Sequence, residues 1–197
     1  MAKAMSGQKP VTPSPNGLAA SVKAAKSRGL PPVHLWNPPF CGDLDIRIAK
    51  DGSWSYLGSP ITRFELVKLF SSILKKEDGK YYLVTPVEKV GITVEDAPFL
   101  AVDVDQTGED AAQTLTFTTQ VGDAAEAGPD HPIRIVIDPE TEEPSTYVLV
   151  RANLEARIDR KTFYRLVDIG THHERWFGVW SGGVFFRLLE SHLLDQE

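Results

Sequence analysis

Cys41 is the only thiol in this chain of 197 residues. No internal disulfide can form, so nothing points to an oxidising compartment, and a cytoplasmic location is expected. Long apolar runs are missing as well. The N-terminal stretch has neither a membrane span nor the apolar region of a secretory signal. It is instead basic, small and rich in Pro and Ser, and Pro10, Pro13 and Pro15 would break the helix that a transit peptide needs. The usual chemical signatures are absent too: no Walker loop, dinucleotide fingerprint, serine-hydrolase elbow or zinc pair is present. Cationic charge is scarce in the second half. Residues 1–100 hold 13 Lys and Arg against 9 Asp and Glu, a balance of +4, whereas residues 101–197 hold 8 against 18, a balance of −10. So acidic a half is poorly suited to non-specific DNA binding or to an anionic membrane, both of which need a cationic surface. Opposite charge on the two halves also favours docking of one against the other.

What the chain does have is a pattern read twice. Residues 46–84 and 146–180 follow the same order of strand, turn, strand, turn, helix, turn and strand. Thr62, Leu66 and Val67 recur as Thr162, Leu166 and Val167 at a constant offset, with Phe64 and Leu69 answered by Tyr164 and Ile169. The expected fold is α+β: two related strand-rich units, each with a hairpin packed against one amphipathic helix, the second partly barrel-like. Three segments follow. Residues 1–32 form a disordered tail with a short helix over 18–28, residues 33–96 the first unit, and residues 97–197 the second, more strand-rich unit. Small ligands tend to bind at the seam between such units.

In the first unit Leu44, Ile46 and Ile48 alternate with polar residues and predict a strand. Asp51-Gly52 predicts a hairpin turn, with Trp54 and Tyr56 on the return. Thr62 and Glu65 have the spacing of a capping box for a helix that would carry Phe64, Val67, Phe70 and Leu74 on one stripe and close at Asp78-Gly79. Strands are expected over 81–85 and 87–94. In the second unit, strands are expected over 99–104, 114–119 and 133–137, with a loop over 123–130. A hairpin of 147–150 with 154–158 follows. Asp159 caps a helix from Arg160 to Ile169, ended by Gly170. A last hairpin turns at Ser181-Gly182-Gly183, and the tail 189–197 reads as a short helix.

Candidate chemistry is thin. Cys41 has no base adjacent in sequence except His34, and reads as a small buried thiol. His172 and His173 would point to opposite faces of a strand, so only one could join a metal site. Asp103, Asp105 and Gly108 match three positions of a calcium loop, yet Thr114 stands where a bidentate Glu is needed. Ser181-Gly182-Gly183 could turn backbone N–H groups toward a phosphate, but it is also a plain hairpin turn. Trp36, Trp54, Trp176 and Trp180 offer rings on which a flat ligand could stack, or fill the core.

Four stretches together carry a family resemblance. They are Trp36-Asn37-Pro38 with the run from Cys41 to Ile48; Asp51-Gly52-Ser53-Trp54 with Gly58-Ser59-Pro60-Ile61; the run from Lys76 to Val90; and Gly178-Val179-Trp180-Ser181-Gly182-Gly183. Over about residues 34–187 the chain resembles the bacterial domain-of-unknown-function family 1285. The resemblance implies a duplicated α+β core whose C-terminal part is superficially like pleckstrin-homology folds. It also implies a pocket at the domain interface for a nucleotide-like ligand, and a place in signalling. It brings no catalytic residue and names no cofactor or metal. On motif membership and residue chemistry, the expected ligand-binding residues are Trp36, Asn37, Arg47, Trp54, Trp180, Ser181 and Gly182. The first expectation is a non-enzymatic binding or sensor module. The alternatives are a protein-interaction adaptor, or an enzyme using Cys41 or the carboxylates of Asp43 and Asp45.

Overall fold

The structure, a computed structural model, describes residues 13–24, 29–141 and 143–192. A helix α1 (Pro15–Ala24) comes first and buries Leu18 and Val22. It starts within the stretch expected to be disordered. Residues 1–12, and the expected helix beyond Ala24, lie outside the described residues. The first sheet follows: β1 (Phe40–Ile48), β2 (Trp54–Tyr56), β3 (Ser59–Pro60), then helix α2 (Phe64–Ser71), β4 (Leu74–Glu77), β5 (Lys80–Val84) and β6 (Lys89–Val94). Its order is β3-β2-β1-β6-β5-β4. Every neighbouring pair is antiparallel except β1 and β6, which run parallel.

The second sheet contains β7 (Phe99–Thr107), β8 (Thr114–Thr119), β9 (Ala124–Glu126), β10 (Ile133–Ile137), β11 (Pro144–Arg151) and β12 (Leu154–Ile158), in the order β10-β11-β12-β7-β8-β9. Here the one parallel pair is β12 with β7. The sheet curls into a half-barrel, bringing β9 back beside β11. Helix α3 (Arg160–Ile169) then packs on β7, and a small third sheet of β13 (Thr171–His173), β14 (Trp176–Ser181) and β15 (Val184–Glu190) completes the unit. Among the described residues no helix is long and apolar enough to cross a membrane.

The α+β class, with two related sheets and few helices, is as the sequence pattern predicts. The relation between the units lies elsewhere than expected, however. Each six-stranded sheet is a meander, a connection and a second meander, closed by a parallel pair between its first and last strands. In this topology β1 corresponds to β7 and β6 to β12. Helix α2 lies inside the first sheet's connection, whereas α3 follows the second sheet. The two helices are therefore not equivalent, and the matches between Thr62, Leu66, Val67 and Thr162, Leu166, Val167 do not mark the repeat. Thr62 is exposed ahead of α2, while Thr162 is buried within α3.

Three local corrections have physical causes. The Ile61 N–H donates to the Trp54 carbonyl at 2.8 Å and prolongs the hairpin, so Arg63, not Thr62, occupies the N-cap of α2, without a side-chain bond. The helix ends early because the Ser71 and Ser72 hydroxyls bond back to the carbonyls of Lys68 (2.8 Å) and Leu69 (2.6 Å). Such bonds compete with the helical ladder. The chain then extends, and Leu74 pairs with Leu83 instead of lying on the helix stripe. The loop expected over 123–130 contains β9, paired with β8. At the chain's end β15 continues to Glu190, and residues 193–197 of the expected tail helix lie outside the described residues. Asp159 caps α3 as predicted, accepting from the Thr162 N–H at 2.7 Å.

One apolar core runs through both units, from Ile46, Ile48, Trp54 and Phe70 to Phe99, Phe117 and Leu166. Arg151 joins them at the polar edge. It pairs with Asp123, donates to the Ser71 carbonyl at 2.7 Å, and lies 4.7 Å from the Phe99 ring centroid. Replacing Arg151 with Ala strands a half-buried carboxylate and a carbonyl. The expected cost is about 2–3 kcal/mol in denaturant unfolding.

Glu88 is a second test. It is buried at the β5–β6 turn, and burial pushes its carboxyl above the usual carboxylate range. A raised folded-state value favours the fold below the unfolded-state value, and that contribution is lost as pH rises through the folded-state one. Glu88→Gln should therefore gain stability relative to the parent as pH rises from about 4 to about 7, read by urea midpoints at each pH.

Candidate functional site

The seven residues expected to bind ligand do not converge. Trp54 is 2 % exposed and stacks on Phe70 at 6.3 Å between ring centroids, inside the core. Trp36 is half-buried against the core, and its carbonyl accepts from Lys75 Nζ at 3.3 Å. Asn37 is exposed beside it. Arg47 lies on the outer face of β1 and pairs with Glu95 at 3.1 Å. Trp180, Ser181 and Gly182 belong to the β14–β15 hairpin of the second unit. The Ser181 hydroxyl is fully buried; it accepts from the Leu115 N–H at 2.8 Å and donates to the Ala127 carbonyl at 2.6 Å. Gly182 donates its N–H to the Gln113 carbonyl at 3.1 Å. This turn is thus a fastener that ties the third sheet to β8, and its Ser181 hydroxyl and Gly182 N–H are already engaged.

The seam holds a cavity of about 510 Å³ built from other residues. Lys50 and Asp51 come from the β1–β2 turn, Ser145 and Arg157 from β11 and β12, and Arg160, Phe163 and Tyr164 from α3. Gly52 makes the close approach possible. It has φ +79° and is buried, and a Cβ there would come within 3.1 Å of the Leu100 side chain. Position and charge of the walls follow from local structure. Because Asp159 caps α3, the first turn of that helix presents Arg160 and the rings of Phe163 and Tyr164 along the cavity. Arg160 Nε donates to the Tyr164 hydroxyl at 3.0 Å. The Lys50 ammonium has no ion-pair partner among the described residues, its backbone N–H being the group that meets Glu95. Arg157 is held by Asp96 at 3.2 Å, and the other oxygen of Asp96 accepts from the Tyr147 hydroxyl at 2.8 Å. Burial first, then Asp96, pushes the Tyr147 hydroxyl upward, so it keeps its proton. Chemically the cavity offers three cations (Lys50, Arg157 and Arg160) among three carboxylates (Asp51, Glu143 and Asp159), with a serine hydroxyl and two aromatic rings. A flat ring suits the α3 wall, and an anionic group suits Lys50, whose ammonium is unpaired among the described residues.

The motifs weighed for other chemistry lie apart. Cys41 is half-buried, with its thiol 3.4 Å from the Pro39 carbonyl. Asp43 lies over the bare backbone of Gly91, where a Cβ would fall 2.0 Å from its carboxylate. His172 meets Ser191 at 2.9 Å, and His173 packs against Trp180 and Phe185. Asp103 pairs with Arg165. Among the described residues no group of three or more His, Cys, Asp or Glu could hold a metal ion. Sequence reasoning missed the cavity's walls because Lys50-Asp51 reads as a turn and Arg160, Phe163 and Tyr164 as one helix. Only the packing of that turn against that helix makes a site.

Two six-stranded sheets with a cavity at their seam define a two-domain α+β protein. The chain belongs to the DUF1285 family. Residues 31–97 match the family's N-terminal domain of unknown function, and residues 98–188 its C-terminal domain, described as a protein of unknown function. It is similar to the crystal structure of a DUF1285 family protein from Silicibacter pomeroyi DSS-3, with 60 % identity and a TM-score of 0.85, covering 91 % of this chain and 98 % of that one. It is also similar to a DUF1285 family protein from Shewanella baltica OS155, with 31 % identity and a TM-score of 0.51, covering 64 % of this chain and 91 % of that one. No curated protein matches.

The structural role of Ser181 is testable. Ser181→Ala leaves the buried Leu115 N–H and Ala127 carbonyl without that partner. It should lower stability by about 2 kcal/mol in denaturant unfolding while leaving affinity for any seam ligand unchanged in the folded protein.

Proposed function

We propose that this protein is a non-enzymatic binding or sensor module that holds a small, nucleotide-like ligand in the seam cavity. Its place would be in bacterial signal transduction, in the cytoplasm. The observation that carries the reading is the cavity itself: about 510 Å³, with walls from both units, cations in Lys50 and Arg160 beside the carboxylates of Asp51, Glu143 and Asp159, and rings in Phe163 and Tyr164. That volume lies within the range that takes small ligands. The chemistry favours a ring against α3 and an anionic group toward Lys50. A ligand touching both units would stabilise their contact by binding the docked state selectively. This is the step by which a sensor would turn occupancy into a change a partner can read.

The test begins with freshly purified protein, comparing native and denaturing mass spectra for a small molecule released on unfolding. Adenine and guanine nucleotides, cyclic forms included, are then added to ligand-free protein and followed by thermal unfolding and calorimetry. A released mass or a bound nucleotide supports the reading when Lys50→Glu/Arg160→Glu weakens the binding by about tenfold or more and Trp180→Ala does not. Absence of any released mass together with no response to any nucleotide would overturn it, as would binding indifferent to the Lys50/Arg160 pair.

A further inference from the structure

The third sheet carries another surface, none of whose residues lines the seam cavity. Its inner face belongs to the core through Phe177, Val179, Phe186 and Leu188, all buried. On its outer face, Gly178 leaves a bare stretch of backbone. A Cβ there would fall 2.9 Å from the tip of the Phe185 ring. Phe185 leans over this gap and gathers two more rings: Trp180 at 5.2 Å and His173 at 4.9 Å between centroids. Next to this cluster, the half-buried Trp176 carries two guanidinium groups, Arg175 at 5.4 Å and Arg187 at 5.1 Å from its centroid.

Those two arginines stand out against the rest of their unit. Arg134, Arg151, Arg157 and Arg165 each hold a carboxylate, and Arg160 holds the Tyr164 hydroxyl. Arg175 and Arg187 have neither kind of partner among the described residues. The neighbouring acids leave them free: Glu190 lies 3.2 Å from His192, and Glu174 is exposed in the turn before Arg175. In a half of the chain with a balance of −10, two guanidinium groups without a carboxylate partner among the described residues stand beside half-exposed rings.

We propose that this face docks an extended acidic segment of a partner protein, its carboxylates meeting Arg175 and Arg187 and its apolar or aromatic side chains lying on Trp176, Trp180 and Phe185. Guanidinium forks pair with carboxylates in two-point geometry, and aromatic rings with arginine are the groups that most often anchor an interface. Charge complementarity selects an anionic partner. The acidity of the surrounding half selects against a long polyanion, whose remaining charges it would repel, so a peptide with a few carboxylates is favoured over a nucleic-acid strand. This surface is independent of the seam cavity, and either site can fail without the other.

The experiment uses the full chain and three probes: a displayed pool of short peptides alternating Asp or Glu with Leu, Ile or Phe; the same pool with Lys or Arg in place of the acids; and an oligothymidylate. The acidic pool should be enriched over the basic one. Selected peptides should lose about tenfold or more in affinity on Arg175→Glu/Arg187→Glu, with Trp fluorescence as the readout. Lys161→Glu/Arg63→Glu changes exposed positions by the same net charge and should leave the affinity unchanged. Because all four positions are exposed, circular dichroism should report a folded protein in each case. The proposal is overturned by failure of the acidic pool to enrich, by equal enrichment of the basic pool, or by equal loss in both charge variants. Oligothymidylate binding that depends on Arg175 and Arg187 while the peptides fail would also overturn it, assigning the face to single-stranded nucleic acid.

Discussion

Each sheet of this protein depends on one parallel pairing, and the position of the seam follows from it. In the first unit β1 and β6 run side by side, with Ile48 opposite Val94. The β1–β2 turn and the linker after β6 therefore leave the sheet at the same end. In the second unit β12 runs beside β7, with Ile158 opposite Ala101. The chain leaves β12 through Asp159, whose N–H donates to the Ala101 carbonyl at 3.0 Å, and enters α3 at once. The linker thus delivers β7 next to the β1–β2 turn, and the second parallel pair delivers the start of α3 to the same place. A cavity walled by a turn, a strand edge and a helix N-terminal turn is the geometric result. Parallel strands need long connections, and here each connection is itself a set of meander strands.

The polar contacts across the seam are few and placed where the apolar core ends. Arg151 ties Asp123, the end of α2 and the Phe99 ring together. Asn153 adds a bond to the Lys76 carbonyl at 3.1 Å. Asp96, on the linker, holds Tyr147 and Arg157. Arg157 is shared between this contact and the cavity wall. An anion in the cavity would compete with Asp96 for it, so the proposed occupancy would bear on linker geometry. The two proposed sites divide their labour in the same terms: the seam offers a half-open cleft, the third sheet an open face.

Much of the fold was legible because local chemistry and burial agreed. Asp51-Gly52 turned where predicted, the strands over 114–119 and 133–137 matched residue for residue, and Asp159 to Ile169 gave the capped helix α3. Failures came where a tertiary or hairpin bond outcompeted a local preference. The Trp54–Ile61 bond displaced the N-cap from Thr62, and pairing with β5 took Leu74 out of a helix whose apolar spacing it satisfied. The site was less legible than the fold. Trp54 and Ser181 carry residue types suited to binding, yet one fills the core and the other fastens two sheets.

By itself the sequence determined the α+β class, the presence of two related units, the turns, the N-cap of α3 and the charge contrast between halves. These depend on periodicity, on glycine and proline geometry and on composition, all of which are local along the chain. The tertiary structure alone decided which elements of the two units correspond, that Lys50 lines one cavity with Arg160 and Phe163 across the seam, and that Arg175 and Arg187 are left without carboxylates among the described residues. Those facts depend on which distant segments come together. Strand pairing and side-chain partnership are contests among many alternatives of similar local merit, settled only when the whole core is packed at once.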